Sequence, residues 1–244
     1  MGLVSTIALF IPILLILTLR LGAYKSFPFL VISFANVFIY ALMTEGYIRT
    51  NADVVRWWGV GNNLMDAPLL LLFLSYFSTS AIFTRRLTIL IFSFIVFESV
   101  VVMAVGFNVR ALSIILGPEI LVVFALSLFL FIRQSKITIA YRKGIGKTLI
   151  SASLVFAYGC YGILYVLFYL IKTTHVADAF LIYFLVVTFY SLMMSTGIIF
   201  EKIRIQKLFE LKRSRKELHD IYKDTKTDAP LRTAMLDFDR ESWN

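Results

Sequence analysis

Seven apolar stretches, each on the order of the 17–25 residues that a bilayer-crossing helix needs, follow one another along this chain. They run Leu3–Leu19, Phe27–Met43, Trp57–Phe77, Leu87–Phe107, Leu112–Ile132, Thr148–Ile171 and Ala177–Phe200. The second is short, and the third is interrupted by Asn62, Asn63 and Asp66. Inside lipid every backbone polar group must be satisfied within the segment, so such stretches fold as helices. Composition agrees: 59% of the residues are hydrophobic and 16% charged, against about 25% charged in soluble domains. A soluble core could not hide that much apolar surface. The expectation is an all-α membrane protein, a seven-transmembrane-helix bundle occupying residues 1–200. A basic amphipathic helix over 201–224 and a polar, flexible tail over 225–244 would follow. The connections are too short for a soluble domain, and no internal repeat is visible. The N-terminus lacks the basic region and small-residue cleavage site of a signal peptide, so the first stretch is expected to remain as a helix.

Orientation follows from Lys and Arg near the span ends. One set of loops carries Arg20, Lys25, Arg85, Arg86, Arg133, Lys136, Arg142, Lys143 and Lys147, and the tail continues with Lys202, Arg204, Lys207, Lys212, Arg213, Arg215 and Lys216. The opposite set carries Arg49 and Arg56 offset by Glu45 and Asp53, then Arg110, then Lys172 with Asp178. The basic side is the cytoplasmic one, which places the N-terminus outside and the C-terminus in the cytoplasm. The protein is thus expected in the cell (cytoplasmic) membrane as a multi-pass protein. The net charge of +9 reflects this topology and attraction to anionic lipid at the cytoplasmic face, not nucleic-acid binding. Trp57 and Trp58 beside Arg56 fit an outer interfacial belt.

Several chemistries find no residues to carry them. The single Cys160 allows no disulfide framework and no thiolate metal cluster. The two histidines, His175 and His219, leave no bis-His haem and no His-rich metal site. No phosphate-binding glycine loop and no paired nucleophile and base appear, so neither metal-binding nor catalytic residues are assigned and an enzyme is the weakest reading.

Ionisable groups inside spans point to function or to hydrogen bonding between helices. Asn62, Asn63 and Asp66 stand just before Pro68, and Asn62 and Asp66, four apart, share a helix face. Glu98 lies in the fourth span, and Glu119 follows Pro118 in the fifth. The three acids would serve as interhelical hydrogen-bonding groups, as a proton or cation relay, or, for Asp66, as a polar anchor in a ligand pocket. In the sixth span Tyr158, Tyr161 and Tyr165 recur at three and four residues and form one stripe. Their hydroxyls need partners, so the stripe should face the bundle, as core packing or as a pocket wall. Gly159 and Gly162 would allow a neighbouring helix to approach closely.

These residues together resemble the microbial (type 1) rhodopsin family. The third helix of that family carries a Pro and a leucine run, matched by Pro68 and Leu69-Leu70-Leu71-Leu72-Phe73-Leu74, with Trp57 where an aromatic residue is common. Its sixth helix carries Trp-x-x-Tyr-Pro-x-x-Trp, and the same spacing here reads Tyr158, Tyr161, Gly162 and Tyr165. The separation of Pro68 from this stripe also agrees with the family. The resemblance implies seven helices with the N-terminus outside. It places the retinal-bearing lysine at about Met193, within Ser191-Leu192-Met193-Met194-Ser195-Thr196-Gly197, where there is no lysine. The counter-ion position falls near Asn62, the proton-donor position near Phe73, and a bulky Trp position near Asn63. A lysine-less, rhodopsin-like scaffold without a retinal Schiff base is therefore implied. Its ligand pocket would comprise Asn62, Asn63, Asp66, Tyr158, Tyr161, Tyr165 and Met193. No covalent cofactor is expected; a retinal, carotenoid or other apolar ligand would be held non-covalently.

From Glu201 to about Lys223 apolar residues fall near helical spacing between cations. That segment would lie on anionic lipid or meet a cytoplasmic partner or a second copy of the chain. The leading expectation is a light-independent receptor-like or signalling protein whose output is this tail. The alternatives are a proton or ion transporter using Asp66, Glu98 and Glu119, and a structural or assembly subunit.

Overall fold

A computed structural model describes residues 2–77, 80–141, 143–171 and 176–223, and among them there is no strand. The described α-helices are α1 (Gly2–Thr18), α2 (Phe27–Thr44), α3 (Ala52–Leu74), α4 (Ala81–Val105), α5 (Val109–Tyr141), α6 (Ile145–Tyr165) and α7 (Val176–Lys223). A 3₁₀ turn at Ser75–Phe77 prolongs α3, and a π-helical turn at Val166–Leu170 prolongs α6. Among the described residues six helices are long and apolar enough to cross a membrane, α2 to α7, while α1 is a shorter apolar helix of 17 residues. Where seven crossing stretches were expected, it is the first that falls short. It is stopped by a Schellman-type turn: Arg20 takes a left-handed conformation (φ 54°), Leu21 N–H donates to the Ile16 carbonyl at 2.9 Å and Arg20 N–H to that of Leu17 at 3.1 Å. Leu21 and Ile16 are both buried beneath that turn.

Burial runs opposite to the pattern of a water-soluble bundle. On α1 the outward stripe is Leu3, Ile7, Phe10, Leu14 and Leu17, while Ser5 and Thr6 are buried. On α4 only Leu87, Ile91, Phe94 and Glu98 are buried, a single stripe, and Ile89, Phe92 and Val100 face outward with Met103 at 85% exposure. Such an outer surface would be untenable in water and is the expected one in lipid, where polar groups turn inward instead. The molecule is therefore a multi-pass membrane protein.

Each helix packs on its neighbours in sequence and α7 closes on α1, making a ring; α3 also touches α5, which leaves α4 on the periphery. The closest approach is between α6 and α7. A Cβ added at Gly146 would lie 2.5 Å from the Glu201 backbone nitrogen, and one at Gly197 would lie 2.7 Å from Ile150 Cγ1. Small residues let helix backbones touch in this way. Gly159 and Gly162 face α5 instead, with Phe124 and Ile120 at 3.3 and 3.5 Å from the same construction.

Two helices outrun their apolar stretches. α5 continues to Tyr141, and α7 runs for 48 residues without a break at Phe200–Glu201. By rise per residue α7 is about 72 Å long, against a hydrocarbon core of about 30 Å. Between Phe200 and Lys223 there is neither Gly nor Pro, and Glu, Lys, Arg and Leu dominate, so helix propensity carries the segment on once the lipid ends. The segment that opens at Glu201 is thus an extension of the last apolar helix. The polar tail expected over 225–244 lies outside the described residues.

Candidate functional site

Asp66 sits on the inward side of α3, one turn into the apolar run and two residues before Pro68. Proline supplies no N–H, so the carbonyl one turn earlier loses its helical partner and the local backbone is more polar than elsewhere in the span. Two hydroxyls from neighbouring helices converge on the carboxyl group. Ser33 of α2 donates to Oδ1 at 3.0 Å, and Tyr158 of α6 donates to Oδ2. Beside them is a cavity of about 40 Å³ walled by Ser33, Phe34, Asp66, Tyr158, Tyr161 and Tyr190, among others. That is room for roughly two or three waters. Tyr161 meets Tyr158 edge-on at 5.7 Å between centroids, and Phe34 stacks on Tyr190 at 5.4 Å.

A larger cleft of about 260 Å³ opens toward the loop end of α2 at Thr44 and Glu45, with Thr6, Tyr40 and Tyr183 in its walls. Leu9, Val37 and Val187 line both spaces, so the cleft adjoins the Asp66 cavity. Thr6 Oγ1 is buried there with no hydrogen-bond partner among the described residues. Drug-sized apolar ligands occupy about 300–1,000 Å³. The central cavity by itself is far smaller, and only with the cleft does the space approach the lower bound.

Of the residues assigned to the pocket from sequence, Asp66, Tyr158 and Tyr161 are brought together. The remainder lie elsewhere. Tyr165 packs over Gly117 of α5 and donates to the Ser113 carbonyl at 3.0 Å. Asn63 donates to its own helix, to the Gly59 carbonyl at 2.7 Å, and Asn62 lines a separate cleft with Asn36, Trp57 and Trp58. Met193 is absent from the cavity wall; Val187 and Tyr190 represent α7 there. The buried stripe of α7 runs Val187, Tyr190, Met194, Ile198, and Met193, one residue before Met194, is turned about 100° away from it.

The other two acids are also inside. Glu119 is 2% exposed and Glu98 is 7% exposed. Glu119 reaches the Ala67 backbone, next to Asp66, and interacts electrostatically with both Asp66 and Glu98. Among the described residues Glu119 Oε2 and Glu98 Oε1 have no hydrogen-bond partner. Two proline-flanked acids on α3 and α5 thus face each other across the α3–α5 contact, with the α4 acid beyond.

A second polar centre, not assigned from sequence, lies at the basic end of the bundle. Glu201 of α7 is wholly buried. Arg204 Nε lies 3.0 Å from each of its carboxylate oxygens and Arg204 Nη2 lies 2.5 Å from Oε1, while Tyr76 donates its hydroxyl to the same oxygen. Lys147 and Lys25 place their ammonium groups over the Tyr76 ring, at 4.9 and 5.6 Å from its centroid. Ser26 and Ser75 join the α2 and α3 ends at 3.0 Å. In sequence these charges read as topology markers, because cations are expected at a span end. The usable signal was the three-residue spacing of Glu201 and Arg204, which lets one helix turn pair them.

No family model, curated protein or solved structure matches this chain. The likeness to microbial rhodopsins therefore rests on the quoted residues alone.

Proposed function

We propose that this chain is a light-independent signalling protein of the cell membrane, with α1 as a seventh span, the N-terminus outside and the basic end in the cytoplasm. The Asp66–Tyr158–Ser33 centre is the receiving site, reached from outside through the cleft beside α1 and α2. An apolar ligand with one hydrogen-bonding group, held non-covalently, suits a tyrosine-walled space with a single carboxyl group at its base. The extension of α7 is the output. One observation carries this reading: a single unbroken helix lines the Asp66 cavity with Val187 and Tyr190, supplies Glu201 and Arg204 to the ionic centre, and continues with Phe209, Leu211 and Leu218 exposed. A rigid element touching both centres is a physical route for coupling them.

The test uses a fluorophore on Leu211→Cys in a Cys160→Ser background, with the protein in vesicles. A change on the outer side, in pH or by adding a short-chain fatty acid or retinal, should alter emission in the parent and leave Asp66→Asn silent. Equal responses in the two proteins would remove Asp66 from the signal path.

A second reading is favoured by the unpaired oxygens of Glu98 and Glu119 and by the electrostatic link from Asp66 through Glu119 to Glu98. Acids at these places would hand a proton across the α3–α5 contact. A pH dye trapped in vesicles, with a potassium diffusion potential as driving force, decides it. Flux lost in Glu119→Gln supports transfer; a rate equal to that of empty vesicles rejects it.

A further inference from the structure

At the basic end, α5, α6 and α7 enclose a cleft of about 510 Å³ that shares Arg204 and Leu211 with the proposed output route and is otherwise used by neither proposal above. Its walls divide by chemistry. One part is cationic, with Lys143, Lys147, Arg204 and Lys207, and no acidic residue lines it. Glu201 lies behind Arg204 and pairs with that guanidinium, one carboxylate against the several cations that Arg204, Lys147 and Lys207 bring to this wall. The other part is apolar, with Ile137, Ile145, Phe200, Ile203, Leu208 and Leu211 among the lining residues.

Two buried donors face this space. Lys147 is 6% exposed, and its ammonium lies over the π face of Tyr76. Gln134 is 2% exposed and lines the cleft, and its Nε2 has no hydrogen-bond partner among the described residues. A buried amide left without an acceptor is uncommon and costly, and an acceptor supplied from outside relieves it. The first turn of α6 completes the wall. Gly144 precedes it at φ 83° with no side-chain cap, and Gly144, Ile145, Gly146 and Lys147 all line the cleft. Uncapped N–H groups at a helix start favour an anion.

We propose that this cleft binds the phosphate of an anionic phospholipid, with Gln134, Lys147 and the α6 N-terminus around the phosphate and Lys143 and Lys207 at the mouth. The source is a lipid headgroup and not free phosphate, because half of the wall is apolar. The cleft also lies where α6 begins to cross, so an acyl chain running from the headgroup would pass along Phe200 and Ile203 into the hydrocarbon. Basic pockets between membrane helices on the cytoplasmic side recognise such headgroups. The occupant would sit beside the Tyr76–Glu201–Arg204 centre and brace the root of the α7 extension.

The full-length protein in a neutral detergent is titrated with dioctanoyl phosphatidylglycerol, dioctanoyl phosphatidylcholine or inorganic phosphate, with thermal unfolding and direct binding as readouts. The phosphatidylglycerol probe should bind and raise Tm, and the other two should not. The surface pair Lys143→Gln/Lys207→Gln should weaken binding roughly tenfold, and Gln134→Glu should weaken it further by placing a carboxylate at the phosphate. Arg213→Gln/Lys216→Gln, outside the cleft, serves as the control for general attraction. Equal weakening by the control pair, equal binding of phosphatidylcholine, or a matching response to inorganic phosphate would each overturn the proposal. Should Gln134→Glu not fold, the surface pair decides alone.

Discussion

Two of the carboxylates inside the bundle stand in opposite circumstances. Glu201, near the basic end, is matched by a guanidinium through both of its oxygens and by the Tyr76 hydroxyl, and two ammonium groups face that tyrosine ring. Asp66, in the middle of the bundle, receives hydrogen bonds from Ser33 and Tyr158 and has no cation beside it. The first arrangement holds a charge and fixes three elements, the end of α3, the start of α6 and the middle of α7. The second holds a group whose protonation or partner can change without stranding a countercharge. α7 touches both, lining the Asp66 cavity with Val187 and Tyr190 and carrying Glu201 and Arg204, so the proposed signalling role has a pinned centre and a changeable one joined by one helix. Buried charge pairs are poor evidence of stability by themselves, yet breaking one leaves an uncompensated charge. That asymmetry orders the expected effects of substitution.

The largest effect should follow Arg204→Met, which strands Glu201 where it is wholly buried; we expect a loss of about 3–5 kcal/mol in reversible unfolding. Glu201→Gln/Arg204→Met together should recover most of it. A loss no greater than that of a single hydrogen bond would erase the distinction between the centres. Next comes Gly146→Ala, whose new Cβ meets the Glu201 backbone nitrogen at 2.5 Å. Separating α6 from α7 should cost about 1–3 kcal/mol and should lower the thermal midpoint without abolishing the fold. Tyr158→Phe removes one of the two hydrogen bonds to Asp66 and should cost about 1 kcal/mol, while altering the Leu211 fluorophore response far more than it alters stability. Tyr165→Phe, which loses its bond to the Ser113 carbonyl, should cost about 1 kcal/mol or less and leave that response untouched. A matching functional effect at Tyr165 would show that the whole tyrosine stripe, and not the part facing Asp66, is involved.

Helix positions were largely readable because lipid demands long apolar runs. α2 starts at the expected Phe27, and α6 ends within a residue or so of the expected limit, counting its π-helical turn. What hydropathy could not mark was where helices leave the lipid and continue. Lys, Glu and Arg lower hydropathy and still sustain a helix, so the stretch ending at Ile132 stops short of α5's end at Tyr141, and the helix expected from Glu201 is continuous with the last span. In the site, Asp66 and Tyr158 stood out because a polar group in an apolar run has few bland explanations. Tyr165 shared the stripe of Tyr158 and still parted from it, because Gly117 of α5 makes room for its ring and the Ser113 carbonyl accepts from its hydroxyl. Tyr76 was hidden for another reason: its partner Glu201 lies 125 residues away in the chain, and no local pattern reports such a pairing.

The central claim is that α7 is one continuous helix from the Asp66 cavity to the exposed extension. Leu185 and Leu211 are both exposed on it. Spin labels on Leu185→Cys and Leu211→Cys, in the Cys160→Ser background, give their separation in nanodiscs by pulsed dipolar spectroscopy. An unbroken helix predicts a narrow distribution centred at about 39 Å from the rise per residue. A broad distribution, or one centred well below about 30 Å, would mean that the chain bends at the membrane surface to lie on lipid, and α7 would then carry no signal from Asp66 to its end.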